Sequence, residues 1–131
     1  MYERTPILLG KSDFQVLTQY PLPDLETSHA HFLSSELLEA IVVEDEIVPE
    51  NCIRLNSNIK VRELSTNKVY QFSIVIPENA DIENGKISVL DPWGASFIGL
   101  SKCEEVERKI DGTTKYYQII AVRHQLPDNL S

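Results

Sequence analysis

The sequence predicts an α+β protein, with a short antiparallel helical hairpin followed by an antiparallel sheet that carries one short helix. Three observations predict this class. Apolar residues at helical spacing occupy the first part of the chain, and apolar alternation typical of strands begins at Asn58. Between them lies a polar stretch, Glu44-Asp-Glu46 and Pro49-Glu-Asn51. The 131 residues therefore divide into predicted domains of residues 1–50 and 51–131.

The N-terminal domain is predicted to contain two helices. Ser12 and Gln15 have the spacing of a capping box, which predicts a first helix from Ser12 to about Tyr20. Prolines at positions 21 and 23 end it. The second helix begins near Asp24 or Ser28 and repeats its apolar residues every four positions, at Leu33, Leu37 and Ile41.

The C-terminal domain is predicted to contain five strands. Alternating or β-branched apolar residues place them at 59–64, 69–76, 86–90, 106–110 and 115–122. A turn at 65–67 joins the first two, and Asp111-Gly112 is a favoured two-residue hairpin turn for the last two. The short helix is predicted over residues 94–100, between the third strand and the fourth.

The charge is concentrated in one domain. Residues 1–50 hold two basic against ten acidic side chains, a balance of −8, whereas residues 51–131 hold ten of each. An acidic surface is repelled by phosphate backbones, so we expect a basic protein surface as the partner and no sequence-specific nucleic-acid binding. No apolar run approaches the roughly 20 residues of a membrane span, and no signal peptide is evident, which predicts a cytoplasmic protein without membrane contact. Cys52 and Cys103 are predicted to be buried thiols.

The most informative stretch is residues 78–100. Apolar alternation at Ile87 and Val89 ends in Asp91-Pro92, and a short amphipathic run follows. Asp91 can accept hydrogen bonds from the first free amides of a helix, and Pro92 suits the first helical position because it lacks the N–H that would go unused there. We therefore predict a strand that turns directly into a capped helix.

This order of elements, with Glu78-Asn-Ala-Asp81 before it and Leu90-Asp91-Pro92-Trp93 at the corner, resembles the C-terminal domain of the GreA/GreB transcription factors and of their shorter Rnk-type relatives. The resemblance covers about residues 57–125. It implies an FKBP-like fold and a non-enzymatic regulator that binds the rim of the secondary channel of RNA polymerase. The implied contact residues are Leu90, Asp91, Pro92, Trp93 and Asp81.

Four of these five residues have a second interpretation. Asp91-Pro92 can be a helix cap alone, Trp93 can be a core residue, and Asp81 can be a turn acid. The sequence also departs from the family at two places. The family has a serine where this chain has Asp91, and Cys103-Glu-Glu105 replaces a Gly-Asp step after the helix.

The resemblance further implies that transcript cleavage needs two converging acids at the tip of a long coiled coil. Here the tip carries Asp24 and Glu26, which point to different faces because they are two positions apart on a helix. A second helix of about 16 residues also reaches only about 24 Å. We therefore expect no cleavage activity. His29 and His31 diverge in the same way and lack a third ligand, so no metal site and no cofactor are expected.

The leading hypothesis is thus a regulator that docks on RNA polymerase through its C-terminal domain. Two alternatives stay open. FKBP-like sheets also serve as prolyl isomerases. Rnk stands for regulator of nucleoside diphosphate kinase, and this name implies a regulator of another cytosolic enzyme such as that kinase. The aromatic residues of the predicted sheet and helix alternate as ordinary core and surface residues do, which favours binding over isomerase chemistry.

Overall fold

A five-stranded sheet forms the centre of the molecule. The structure is a computed structural model and describes residues 6–19, 39–110 and 112–124. Its strands, numbered in chain order together with two strands that precede the sheet, are β1 Leu8–Gly10, β2 Ile41–Val43, β3 Ser57–Glu63, β4 Val69–Val75, β5 Lys86–Ser88, β6 Glu105–Ile110 and β7 Thr113–His124. Its described helices are α1 Lys11–Thr18 and α2 Pro92–Phe97. The sheet order is β5-β4-β3-β7-β6.

The five predicted strands are present, and alternation along β3 matches burial. In β3, Ile59 and Val61 are fully buried and Lys60 between them is exposed. β3 pairs antiparallel with both β4 and β7. The predicted hairpin at the end of the chain is also present, since Ile110 pairs with Thr113 in the β6–β7 register.

The direction of β5 corrects the prediction of an antiparallel sheet. β5 pairs parallel with β4, with Ile74 opposite Ile87, so the sheet is mixed. The reason lies in the connection. Two 3₁₀ turns, Pro77–Asn79 and Ile82–Asn84, carry the chain back before β5 begins, whereas a tight hairpin turn would have reversed the strand direction.

Ile41 corrects the predicted second helix. It begins β2, which pairs parallel with the unpredicted strand β1, with Leu8 opposite Ile41. Ile41-Val-Val is a run of β-branched residues, which lose side-chain freedom in a helix and suit a strand. Leu33, Leu37 and the rest of the predicted second helix lie outside the described residues.

The first helix exists, but its cap differs from the prediction. α1 begins at Lys11 and its N-cap is Gly10, which has no side chain to cap the helix. Ser12 is instead inside the first turn, where its backbone N–H donates to Asp45 at 3.0 Å and its hydroxyl donates to the same carboxylate. A partner 33 positions away thus replaces the local capping box.

One hydrophobic core holds residues from both ends of the chain. Ile7, Leu9 and Leu17 belong to the same buried cluster as the central strands and α2. These N-terminal side chains share the core of the sheet. The boundary between residues 50 and 51 stays a prediction. Within the described ranges, no helix has the length and apolar character needed to cross a bilayer.

Candidate functional site

The corner between β5 and α2 has the predicted local structure. Asp91 is the N-cap residue in an extended conformation, and its Oδ1 accepts a hydrogen bond from the Trp93 backbone N–H at 3.0 Å. Pro92 occupies the first turn of α2. The cap and the proline position are therefore confirmed. Leu90, Asp91, Pro92 and Trp93 are all half-buried, so each keeps part of its surface open to a partner.

A glycine that sequence reasoning did not single out sets how closely α2 lies on the strand before it. A Cβ at Gly94 would lie 2.2 Å from the carbonyl oxygen of Ser88 and 2.9 Å from the Cα of Val89. Only glycine permits that approach. The sequence carries one signal for it, which is a glycine inside a helical run. The corner is tightened further by the Leu90 N–H, which donates to the Ser88 hydroxyl at 3.0 Å.

Trp93 packs into a cluster of aromatic rings while remaining partly exposed. Its ring centroid lies 4.9 Å from that of Tyr70, 5.7 Å from Tyr117, 5.9 Å from Phe72 and 6.3 Å from Phe97. These separations are typical of favourable tilted and edge-to-face pairs. The structure therefore shows the core interpretation of Trp93. Part of its surface stays exposed, and it is two positions after Asp91 in the chain.

A second unforeseen contact fixes the other side of α2. Arg108 of β6 donates from Nε to the Ser96 carbonyl at 2.7 Å, and the Ser96 hydroxyl donates to the Pro92 carbonyl at 2.6 Å. A guanidinium that bonds a helix carbonyl strengthens the attachment of that helix to the sheet. The corner is thus held from β5, from the aromatic cluster and from β6.

Asp81 lies at the opposite end of β5 from the corner. It is exposed, and its carboxylate accepts from the Asn84 side chain at 2.6 Å. Its backbone pairs with Lys86, the first residue of β5, whereas Asp91 lies three residues beyond the end of that strand. These contacts match the interpretation of Asp81 as a turn acid. The structure therefore does not bring Asp81 into hydrogen-bonding contact with Leu90-Asp91-Pro92-Trp93.

The acidic connection before the sheet is partly tied to α1. Glu44 pairs with Lys11 at 2.7 Å, and Asp45 accepts both Ser12 hydrogen bonds. The Ser12 bonds lower the pKa of Asp45, and the bond to Glu44 raises the pKa of Lys11. Glu46 and Glu50 are exposed. These four acids lie in the connection between β2 and β3 and make it acidic.

The residues of both predictions about metals lie in the part of the chain that the structure does not describe. Asp24 and Glu26 at the predicted tip, like His29 and His31, lie outside the described residues. Among residues 6–19, 39–110 and 112–124, no group of three or more His, Cys, Asp and Glu side chains could hold a metal ion.

The prediction of two buried thiols is half right. Cys52 is buried, but Cys103 is exposed and its φ is +78°. Cys103 therefore occupies a left-handed turn position that favours glycine. It stands where the resemblance expects a Gly-Asp step, and the conformation explains why a glycine would suit that place.

Known proteins match this chain over most of its length. A GreA transcription elongation factor from Thermodesulfovibrio yellowstonii is 31% identical over 90 residues, which take in 69% of this chain and 57% of that relative. The chain thus spans little more than half the length of that relative. A regulator of nucleoside diphosphate kinase from Escherichia coli K12 is 27% identical over 124 residues, which take in 94% of this chain and 84% of the relative.

A solved structure has the same fold. It is a prokaryotic GreA/GreB transcription elongation factor from Nitrosomonas europaea, with a TM-score of 0.73 and 27% identity, covering 92% of this chain and all of that one. The sequence model of the C-terminal domain of the GreA/GreB transcription elongation factors matches residues 48–124. The matched range contains the whole five-stranded sheet, α2 and the corner, and the chain belongs to the GreA/GreB family.

Proposed function

We propose that this chain is a transcription regulator that binds RNA polymerase at the rim of its secondary channel and does not stimulate transcript cleavage. The observation that carries the proposal is the corner at residues 90–93, a capped strand-to-helix turn inside the range that the family model matches. The FKBP-like form of the sheet, the N-terminal helical hairpin and the boundary between residues 50 and 51 are parts of the same proposal. So is action in the cytoplasm, where the polymerase works.

The geometry of the corner supports a docking role. Asp91 presents a carboxylate of which only one oxygen is used by the cap, and Trp93 adds a half-buried aromatic surface beside it. A carboxylate next to an aromatic side chain suits a protein surface with a basic group and an apolar pocket. The contacts of Gly94 and Arg108 hold this pair in place before binding, which lowers the entropy cost of association.

The absence of cleavage activity rests on the sequence of the predicted tip. Asp24 and Glu26 are two positions apart, a spacing that would place them on different faces of a helix. A magnesium ion needs several oxygen ligands at fixed positions. The aromatic cluster argues against an isomerase, because Phe72 and Tyr117 are buried and each packs against Phe97 and Trp93. Rings packed in this way do not line an open cleft for a proline side chain.

The experiment measures the affinity of the purified chain for core RNA polymerase at moderate salt, with a cleavage factor as competitor. The expected result is saturable binding that the competitor displaces. The double variant Asp91→Ala/Pro92→Ala should bind more weakly, and Glu107→Gln, an exposed carboxylate on β6, should bind as the unmodified chain does. Absence of binding by the unmodified chain would contradict the proposal. Equal binding by the double variant would contradict the corner alone.

Asp91→Asn separates charge from helix capping. The amide oxygen keeps an acceptor for the Trp93 N–H, so the fold is retained while the charge is lost. If the partner surface is basic, this variant loses affinity at low salt and the difference shrinks as salt is added. Equal affinity at low salt would show that the charge of Asp91 takes no part in docking.

A second candidate function follows from one comparison. The relative named as a regulator of nucleoside diphosphate kinase matches 94% of this chain, which includes the N-terminal segment. The alternative partner is therefore a nucleoside diphosphate kinase. The same binding assay, with that kinase in place of polymerase, tests it, and saturable binding to the kinase alone would favour this second function.

A further inference from the structure

We propose that the turn of residues 98–101 holds α1 and β2, which together form the root of the N-terminal segment, in one fixed orientation relative to the corner at 90–93. Gly99 is the positioning residue of this turn. The inference rests on the proposed function, because a partner bound at the corner would then also fix the position of α1 and β2. The rigidity of this link in the free chain can be measured without any partner.

Backbone hydrogen bonds connect the turn to both of its neighbours. The Gly99 carbonyl accepts from the Leu8 N–H of β1 at 3.0 Å, and the Gly99 N–H donates to the Ile53 carbonyl at 3.0 Å. The Ile53 N–H donates in turn to the Leu100 carbonyl at 2.7 Å. Gly99 therefore bonds β1 on one side and the chain entering the sheet on the other.

Further backbone pairing extends these hydrogen bonds in both directions. Cys52 and Ser101 form an antiparallel bridge, and the Lys102 N–H donates to the Asn51 carbonyl at 2.8 Å. On the other side β1 pairs with β2. We call the set of β2, β1, residues 98–101 and residues 51–53 the shared ladder. It joins both described ends of the N-terminal segment, α1 and β2, to the turn that follows α2.

Side-chain packing makes the link tight at Gly99. Its φ is +82°, and a Cβ there would lie 2.6 Å from the Cβ of Ile7. Ile7 is 2% exposed and belongs to the core cluster with Ile98 and Leu100. A methyl group at position 99 would therefore strain its own backbone and push Ile7, with β1, away from the turn.

The corner is only one short helix away from this link. α2 runs from Pro92 to Phe97, and the Ile98 N–H donates to the Gly94 carbonyl at 3.2 Å. Gly94 lies against β5 and Arg108 bonds the Ser96 carbonyl, so the helix cannot shift without breaking contacts at both faces. A rigid helix thus connects the docking residues to the shared ladder.

The chain supplies a natural probe for the test. Cys103 is exposed, and its N–H donates to the Ile119 carbonyl at 2.7 Å, so a spin label there reports on the sheet. Cys52 is buried, and burial raises the pKa of its thiol to about 11, which leaves it protonated and unlabelled near pH 7. A second label at Thr18→Cys, an exposed position at the end of α1, reports on the N-terminal root.

The first measurement is the distance distribution between these two labels by double electron–electron resonance in the free full-length chain. The expected result is one narrow distribution that is unchanged when polymerase is bound. Several distances in the free chain, or a shift on binding, would overturn the proposal. Failure to bind polymerase would leave the free-chain distribution standing, so the two proposals fail separately.

The second measurement compares Gly99→Ala with Gly112→Ala. Both replace a glycine of positive φ, but a Cβ at Gly112 meets nothing within 4 Å. Gly99→Ala should broaden the distance distribution and speed hydrogen exchange at the Leu8 and Ile41 amides roughly tenfold, because these are bonds of the ladder. The Trp93 amide should stay protected in both variants. Equal behaviour of the two variants at Leu8 and Ile41 would overturn the role of Gly99.

Discussion

The Cα of Gly94 faces the carbonyl oxygen of Ser88 so closely that a Cβ would lie 2.2 Å from that oxygen. Because the obstacle is backbone, no rotamer change relieves it. Gly94→Ala is expected to lower the free energy of unfolding by about 3 kcal/mol, since α2 must move off β5. Urea unfolding followed by Trp93 fluorescence measures the change.

Gly112→Ala is the matched control for that substitution. It introduces the same methyl group at a positive φ with open space around it, so it should cost only about 1 kcal/mol of backbone strain. Gly94 has no positive φ, so a loss for Gly94→Ala no larger than that for Gly112→Ala would contradict the predicted steric cost.

The N-cap of α2 gives a second prediction. Asp91→Ala removes the acceptor of the Trp93 N–H and should destabilise the chain by about 1 kcal/mol. Asp91→Ser, which places the family's residue at this position, keeps an acceptor and should cost less than half as much. Thermal unfolding of both variants tests the order, and equal destabilisation would mean that the carboxylate stabilises the fold by other means than capping.

Cys103 offers a stabilising substitution. Its φ of +78° strains any residue with a Cβ, so Cys103→Gly should raise the free energy of unfolding by about 0.5 to 1 kcal/mol after the extra freedom of glycine in the unfolded chain is counted. The neighbouring exposed Lys102 does not have a positive φ, so Lys102→Gly should destabilise. Urea midpoints of the two variants that move in the same direction would contradict the explanation.

The ion pair of Glu63 predicts a pH dependence. Its side chain is 2% exposed, its Oε1 lies 2.8 Å from the Lys115 Nζ, and it also accepts from the Thr66 hydroxyl. The bond to Lys115, and then that to Thr66, lowers the pKa of Glu63. The stabilisation is therefore complete above the unfolded pKa of about 4.3 and is lost as pH falls through the lower folded value.

Lys115→Met tests this dependence. The variant should be less stable than the unmodified chain at pH 7, and the difference should shrink as pH falls below about 4. Lys109→Met, an exposed lysine on β6, should give a profile parallel to that of the unmodified chain. A difference for Lys115→Met that stays constant from pH 7 to pH 3 would show that the ionisation of Glu63 is not involved.

The sequence predicted the strands and the corner because both depend on local patterns. Alternation along β3 reports which face is buried, and an aspartate before a proline reports a helix start. The direction of β5 was not predictable in this way, since it depends on how the 3₁₀ turns of its connection fold. The capping box predicted at Ser12 is replaced for a similar reason, because the hydrogen-bond partner of Ser12 is Asp45, far along the chain.

The site residues divide along the same line. Asp91 and Pro92 were predicted with their local structure, whereas the contributions of Gly94 and Arg108 depend on neighbours in space. Ile41 was assigned to a helix because a four-residue spacing outweighed its β-branched run. The lack of a second Cys or His at metal-like spacing predicts a buried thiol at Cys103, and nothing in the sequence signals its left-handed turn.

The order of the sheet leaves β6 as one of its two edges. An edge strand offers unpaired N–H and C=O groups to any other extended chain, which is a common route to aggregation. Four of the six residues of β6 are charged, as its sequence Glu-Val-Glu-Arg-Lys-Ile shows. A second copy that added its own β6 there would have to strip water from these charged side chains. We therefore expect this edge to keep the protein dispersed in concentrated solution.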